Sequence, residues 1–234
     1  MEFEIKENVV GNIKYTVIAN TVMGFGKIEN QDSLAVYTDE HQCIAVIADG
    51  LGSATYSKEG SSKIVNVAVD ILRESPISED IALEILKRWK TSLSGNLNLY
   101  DTTLKFVKIT KGFIEYGGVG DGWIAINSDD EFISLCAQNT FSNQTDSILS
   151  FDLKNKFVIR KIENINVKNM LISTDGFSED MDKEPGKEFL NEVYKQIEID
   201  KQAFDEDINN TLENWPVESN KDDKTVIFIQ AKEV

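Results

Sequence analysis

Five aspartates, spread over nearly the whole chain, lie in short turns whose composition suits a metal site. A glycine follows three of these aspartates, and four of the five border an apolar, strand-like run. A carboxylate at a strand end, with Gly beside it, can reach an ion without the bulk of a neighbouring side chain. Carboxylates are hard oxygen ligands suited to Mg²⁺ or Mn²⁺. The five residues are Asp32, Asp49, Asp121, Asp175 and Asp222.

Such a cluster predicts a particular chemistry. Four or more carboxylates at one site cannot all stay charged unless cations neutralise them. Two divalent ions about 3.5 to 4 Å apart would do this, and a water bridging them would become hydroxide near neutral pH. That hydroxide attacks phosphorus in line while the metals hold the non-bridging oxygens. The pattern therefore favours phosphomonoester hydrolysis without a protein nucleophile.

The sequence lacks the residues that other phosphatase and hydrolase mechanisms require. A cysteine-dependent phosphatase needs an Arg shortly after its thiolate, and neither Cys43 nor Cys136 has one nearby. Both cysteines lie in apolar runs, which favours reduced core thiols. The one histidine, His41, lies in a polar turn, so histidine-based catalysis is not expected. Neither a GxxxxGK[ST] loop nor an EF-hand loop occurs in the sequence.

Composition limits the class of protein. The chain has 234 residues, 41% of them hydrophobic, and a formal net charge of −16. That charge repels nucleic acid and anionic membranes. No apolar run approaches the roughly 18–20 residues of a membrane span, and the charged N-terminus does not resemble a secretory signal. We expect a cytoplasmic protein that binds neither nucleic acid nor membrane.

Hydrophobic periodicity predicts many strands with helices in two places. Helical spacing covers residues 61–73, 78–93, 184–197 and 202–214. Because strands and helices do not alternate regularly, the order indicates an α+β fold. The strand-like runs are 13–19, 33–38, 43–48, 103–109, 113–118, 123–127, 132–136, 156–161, 169–173 and 225–229.

Six short motifs follow one another along the chain: Asn-Gln-Asp, Ala-Asp-Gly-Leu-Gly-Ser, Asp-Thr-Thr-Leu, Gly-Val-Gly-Asp-Gly, Ser-Thr-Asp-Gly-Phe and Asp-Asp-Lys-Thr. In this order they resemble the metal-dependent serine/threonine protein phosphatases of type 2C, and most closely their compact bacterial branch. The match runs from about residue 30 to residue 229, and residues 141–145 also resemble that branch.

The resemblance implies a fold and a dinuclear metal site. The fold would be a four-layer α-β-β-α sandwich of two antiparallel sheets, with residues 1–234 forming one phosphatase domain. Asp49 would bridge two Mn²⁺ or Mg²⁺ ions, and the carbonyl of Gly50 would bind one of them. Asp175 and Asp222 would complete the site, while Asp32 would bind a metal directly or hold a metal-bound water.

Some relatives have a third metal ion, and the resemblance implies which residues would hold it here. Asp121 would hold it, helped by Asp175 and Glu179.

The resemblance makes Asp32 and Lys27 the candidate catalytic residues. Lys27 stands where the family commonly has a phosphate-binding Arg. Lysine pairs with phosphate as a point charge and lacks the planar fork of arginine.

Three further positions depart from the family pattern. Gln31 replaces an acidic residue found in many relatives, and no His follows the Asp49-Gly50 motif. Asp223 stands where the family usually has Asn, and we assign it a role in the turn rather than in metal binding.

The resemblance leaves three hypotheses. The leading one is a monomeric protein phosphatase for phosphoserine and phosphothreonine, paired with a serine/threonine kinase. The second is a catalytically weak or inactive module that binds a phosphoprotein or kinase, which the replacements at Lys27 and Gln31 motivate. The third is a phosphatase for a small phosphorylated metabolite.

Overall fold

Two antiparallel β-sheets pack against each other in a computed structural model that describes residues 5–74, 76–129, 131–136, 145–163, 166–182 and 186–234. The core between the sheets takes side chains from both. Val17 and Ile227 come from one sheet, and Ala45 and Val107 come from the other. Helices cover the outer face of each sheet.

The first sheet has six strands in the order β1-β2-β11-β10-β7-β8. Its longest ladder joins β2 to β11 over ten residue pairs. The strands are β1 (Lys6–Val10), β2 (Ile13–Val22), β7 (Trp123–Ser128), β8 (Phe132–Leu135), β10 (Val167–Ser173) and β11 (Lys224–Glu233).

The second sheet has five strands in the order β3-β4-β5-β6-β9. Every neighbouring pair in it is antiparallel. The strands are β3 (Asp32–Thr38), β4 (Gln42–Asp49), β5 (Leu104–Thr110), β6 (Phe113–Val119) and β9 (Val158–Glu163).

Residues 43–48 of strand β4 are all apolar, because both faces of the strand are buried there. Side chains alternate between the two faces of a strand. Ala45 and Ile47 therefore face the core between the sheets, while Ile44 and Val46 face the outer helices. Burial on both faces leaves no position for a polar residue, and it fixes the register that places Asp49 at the strand end.

Four long helices form the outer layers. Helix α1 (Ser57–Glu74) packs on β3 and β4, and α2 (Ile81–Ser92) packs on α1. Helices α5 (Gly186–Ile199) and α6 (Lys201–Glu213) cover the first sheet, where α5 contacts β10 and β7 and α6 contacts β2. This α-β-β-α arrangement confirms the predicted fold class.

The short elements were harder to predict. Strand β1 and the 3₁₀ turn η1 (Leu97–Tyr100) lie outside the predicted segments. The strand predicted from residue 156 begins at Val158, because α3 (Leu153–Lys156) comes first. A further one-turn helix, α4 (Asp175–Ser178), follows β10. Among the described residues, no helix is long and apolar enough to cross a membrane.

Candidate metal centre

Strand ends from both sheets bring the candidate aspartates together. Asp32 is the first residue of β3, and Asp49 is the last residue of β4. The two are directly paired in the β3–β4 ladder. Asp175 begins α4 just after β10, and Asp222 precedes β11 by two residues. Four strands of two sheets thus deliver one carboxylate each to the same end of the sandwich.

Three of the carboxylates form a group that could hold a cation. One carboxylate oxygen from each of Asp49, Asp121 and Asp175 lies within 4.8 Å of the other two. All three residues are partly exposed, so an ion can reach them from solvent. The charge of Asp222 also acts on Asp49 and Asp175. Glu179 is exposed at the end of α4 and is not part of the three-residue group.

Asp32 is buried beside this group. Its Oδ2 accepts a hydrogen bond from Thr174 Oγ1 at 2.8 Å, and Thr174 Oγ1 in turn accepts one from the Thr225 amide at 3.1 Å. Its Oδ1 is buried and has no hydrogen-bond partner among the described residues, and the same holds for Asp175 Oδ1. Buried carboxylate oxygens without donors are costly, so divalent cations fit this arrangement.

Burial and mutual repulsion disfavour the ionised form of the clustered carboxylates. Burial raises the pKa of the Asp32 carboxyl to about 6 and that of Asp175 to about 7. Burial, followed by the charges of Asp32, Asp175 and Asp222, raises the pKa of Asp49 well above its usual value. The electrostatics therefore favour taking up either protons or metal cations.

The turn after β4 is fixed by the start of β5. Thr103 Oγ1 accepts a hydrogen bond from the Asp49 amide at 2.9 Å, and Thr102 Oγ1 donates one to the Asp49 carbonyl at 2.7 Å. Gly50 forms an isolated bridge with Thr102. These contacts hold Asp49 and Gly50 in one conformation.

Lys27 lies on the loop between β2 and β3, next to the cluster. Its ammonium contacts the carboxylate of Asp222 and lies 3.0 Å from Oδ2 of Asp223. Burial opposes the charge of Lys27, but the hydrogen bonds to Asp222 and Asp223 outweigh it and raise the lysine pKa above its usual value. Lys27 is therefore a fixed positive charge at the site.

Asp121 is held by a neighbour from another loop. Thr145 Oγ1 donates a hydrogen bond to Asp121 Oδ2 at 2.5 Å. Thr145 is the last residue of the segment 141–145, which resembles the bacterial branch of the family, and residues 141–144 lie outside the described residues.

The sequence does not predict two of the contacts at this site. Thr174 stands directly before Asp175 in the sequence. In the structure its hydroxyl donates a hydrogen bond to Asp32, not to Asp175. Asp223, for which the sequence predicts a role in the turn, has a side chain that is 1% exposed and also accepts three hydrogen bonds from the loop at residues 24–31. The sequence signal for these contacts of Asp223 is that an Asp stands where the family usually has Asn.

The model of the protein phosphatase 2C family matches residues 26–215. The chain belongs to the protein phosphatase 2C family. This confirms the predicted family and the expectation of a metal-dependent protein phosphatase. The acidic cluster supplies the donors that Mg²⁺ and Mn²⁺ require.

Solved structures of this family share the fold. RsbX in complex with magnesium is 19% identical, with a TM-score of 0.64, covering 98% of this chain and 100% of that one. The PstP catalytic domain with two manganese ions is 15% identical, with a TM-score of 0.64, covering 94% and 100%. The phosphatase Stp1 from Staphylococcus aureus is 14% identical, with a TM-score of 0.63, covering 98% and 99%. No curated protein matches the chain by sequence.

Proposed function

We propose that this chain hydrolyses phosphoserine and phosphothreonine in proteins at a site that holds two divalent cations. One observation carries the proposal. Asp49, Asp121 and Asp175 place carboxylate oxygens within 4.8 Å of one another, beside buried carboxylate oxygens that lack donors among the described residues. Residues 1–234 would form one domain around this site.

The residues present fit the ions of the family. Asp49, Asp175 and Asp222, with the carbonyl of Gly50, would hold the two cations. Asp121 would hold a third, with Asp175 and Glu179 nearby. When bound, such ions lower the pKa of a shared water and polarise the phosphoryl group, so that water can attack phosphorus.

The chain's own residues would orient the reactants. Lys27 supplies a positive charge that can attract the phosphoryl oxygens. Asp32 would accept a hydrogen bond from a water molecule at its buried Oδ1, while Thr174 donates a hydrogen bond to its Oδ2. Because the side chain of Asp32 is almost fully enclosed, at 1% exposure, its orientation is fixed before substrate arrives.

The surroundings of Lys27 favour a protein substrate over a small metabolite. Phe25 is 82% exposed and Ile28 is 98% exposed, and both lie on the same loop as Lys27. Exposed apolar side chains beside a site provide area for a macromolecular partner. A cognate serine/threonine kinase would then phosphorylate the protein that this chain dephosphorylates.

The test compares turnover with and without metal. Wild-type protein should hydrolyse p-nitrophenyl phosphate and a phosphoserine peptide with Mn²⁺, and EDTA should abolish both activities. Asp49→Asn should lower kcat by about 10²-fold or more. Asp207→Asn, an exposed aspartate on α6, should leave kcat unchanged. Folded wild-type protein without metal-dependent turnover would reject the proposal.

A second candidate function has a specific observation in its favour. Lys27 already contacts Asp222, so an ammonium neutralises part of the charge that a cation would otherwise neutralise. A binding module with this site would bind Mn²⁺ in calorimetry and retain a phosphopeptide without hydrolysing it. The turnover assay separates the two functions directly.

A further inference from the structure

Asp223 is a buried carboxylate whose hydrogen-bond donors, among the described residues, all come from the loop at residues 24–31. The Gly24 amide donates to Oδ1 at 2.8 Å, and the Gln31 amide donates to Oδ2 at 2.8 Å. Lys27 Nζ donates to the same Oδ2 at 3.0 Å. The side chain is 1% exposed. Both oxygens of this carboxylate accept hydrogen bonds, so it has little freedom to move.

These contacts join both ends of the Lys27 loop to the turn before β11. Gly24 packs so closely on that turn that a Cβ there would lie 2.0 Å from the Lys221 carbonyl oxygen. The Gln31 amide closes the other end of the loop. Lys27 therefore projects from a segment whose two ends are fixed by the same carboxylate.

An asparagine could not make the same contacts. Its side chain has one oxygen, and its NH₂ group is a donor. The Gly24 amide, the Gln31 amide and the Lys27 ammonium are all donors, so an NH₂ group facing any of them would leave donors opposed. The charge of Asp223 is also what balances an ammonium in a poorly solvated place.

Lys27 is shared between two carboxylates of different character. Asp222 has a side chain that is 43% exposed, and under the proposed function it binds a cation; the Asp223 side chain is 1% exposed. A cation at Asp222 would displace the ammonium from that carboxylate. Asp223 would then be its remaining acidic partner among the described contacts.

We propose that Asp223 is a positioning residue, the permanent counter-ion that holds Lys27 at the site when a divalent cation takes Asp222, and so leaves the ammonium directed at the substrate phosphoryl group. This inference rests on the proposed function for the phosphoryl step. Its central claim concerns competition between Lys27 and the cation for Asp222, which is measurable without turnover.

The first experiment is a double-mutant cycle on Mg²⁺ affinity, measured by calorimetry at fixed ionic strength. In Asp223→Asn, Lys27 has only Asp222 as an acidic partner, so we expect Mg²⁺ affinity to fall by about 10-fold. Lys27→Met should bind Mg²⁺ at least as tightly as wild type. The double variant should match Lys27→Met to within about 2-fold, because Asp223 acts through Lys27.

Lys221→Met provides the matched control. It removes the same charge from the residue next to Asp222, and its ammonium lies near the Phe25 ring, 5.9 Å from the ring centroid. We expect no rise in Mg²⁺ affinity beyond about 2-fold. An equal loss of affinity on Asp223→Asn with and without Lys27 would overturn the inference and leave Asp223 as a turn residue only.

A second measurement needs no variant, in case Asp223→Asn does not fold. The amide protons of Gly24 and Gln31 should stay protected from hydrogen exchange in both Mg²⁺-free and Mg²⁺-saturated protein, because Asp223 accepts from them in both states. Loss of protection when Mg²⁺ binds would contradict a permanent role.

Kinetics then separate this inference from the proposed function. In saturating Mg²⁺, Asp223→Asn should raise KM for a phosphopeptide by about 10-fold and lower kcat by less than about 3-fold. If wild type binds Mg²⁺ as described but shows no turnover, the proposed function fails while the role of Asp223 stands. An effect confined to kcat would overturn the positioning role.

Discussion

Asp32 and Asp49 lie directly opposite each other on adjacent antiparallel strands. Side chains paired in this way have Cβ atoms about 4.5–5.5 Å apart, and like charges placed there repel. Asp32 is buried, and Asp175 and Asp222 add further negative charge around Asp49. The fold thus brings together charges that destabilise it, and a proton or a cation relieves the repulsion.

The first prediction follows from that repulsion. Asp49→Asn removes one charge from the cluster, so the metal-free protein should gain about 1–3 kcal/mol in unfolding free energy at pH 8. Mg²⁺ should stabilise wild type in proportion to its binding but should hardly stabilise the variant. Urea unfolding with EDTA and with excess Mg²⁺ measures both effects.

Asp207→Asn serves as the control, because this exposed aspartate on α6 lies outside the acidic group. It should change neither the metal-free stability nor the gain on adding Mg²⁺. If Asp49→Asn lowers the metal-free stability and keeps the full Mg²⁺ effect, the cluster is not a cation site.

Much of the fold could be predicted because its signals are local. The apolar run of β4 and the helical spacing of Ile81, Ile85 and Trp89 reflect burial that each segment shows by itself. Aspartates next to glycine marked the strand ends where the site forms. Their convergence came from resemblance to a family, because no local pattern specifies which strand ends meet.

The contacts that shape the site could not be read from the sequence. Asp223 pairs with Gly24 at a separation of 199 residues, and Thr174 reaches Asp32 across 142 residues. Such contacts depend on the packing of two sheets and on side-chain orientation. Strand β1 was missed for a related reason: its short, mixed segment is stabilised by pairing with β2.

The second prediction concerns Thr174. Its hydroxyl donates to Asp32 Oδ2 at 2.8 Å, so Thr174→Val leaves a buried carboxylate with one donor fewer. We expect a loss of about 1–3 kcal/mol in unfolding free energy. Because partners of metal-site carboxylates fix their orientation, Mg²⁺ affinity should also fall by about 10-fold or more.

Calorimetry and urea unfolding measure these two effects. Thr211→Val is the control, since the exposed Thr211 hydroxyl donates to the Asp207 carbonyl within α6 and has no other partner in the part of the chain that the structure describes. It should cost less than about 0.5 kcal/mol and leave Mg²⁺ binding intact. Unchanged Mg²⁺ affinity in Thr174→Val would show that the hydroxyl does not orient Asp32.

The third prediction tests the outer helical layer. Trp89 is 0% exposed, and its indole nitrogen donates to the Gly60 carbonyl at 3.0 Å, which ties α2 to α1. Trp89→Phe removes that bond and leaves a cavity, so stability should fall by about 2–4 kcal/mol. The KM for substrate should not change, because neither helix contributes a proposed ligand.

Trp215→Phe is the matched control for this change. Trp215 also donates from its indole, to Asp180 at 2.8 Å, but it is partly exposed. Trp215→Phe should lower the unfolding free energy by less than half as much as Trp89→Phe does in the same urea titration. Equal losses would mean that the complete burial of the Trp89 indole and of its bond to Gly60 adds nothing to the cost of the substitution.

The fourth prediction is a pH dependence far from the metal cluster. Glu7 on β1 forms ion pairs with Lys201 at 2.6 Å and Lys14 at 2.9 Å. Hydrogen bonds from Lys201 and then Lys14 lower the pKa of Glu7 from 4.5 to about 2. Since the folded-state pKa lies below the unfolded one, the carboxylate stabilises the fold above pH 4.5, and this contribution is lost as the pH falls toward about 2.

Glu7→Gln should therefore be less stable than wild type by about 0.5–1 kcal/mol at pH 7, a small effect because these pairs are solvent-accessible. The difference should stay constant down to about pH 5 and shrink at lower pH. Urea titrations between pH 7 and pH 3 measure it, with Glu218→Gln as the control, because that exposed glutamate has no ion pair among the described residues. A difference that stays the same at every pH would show that Glu7 stabilises the fold through packing of its side chain and not through its charge.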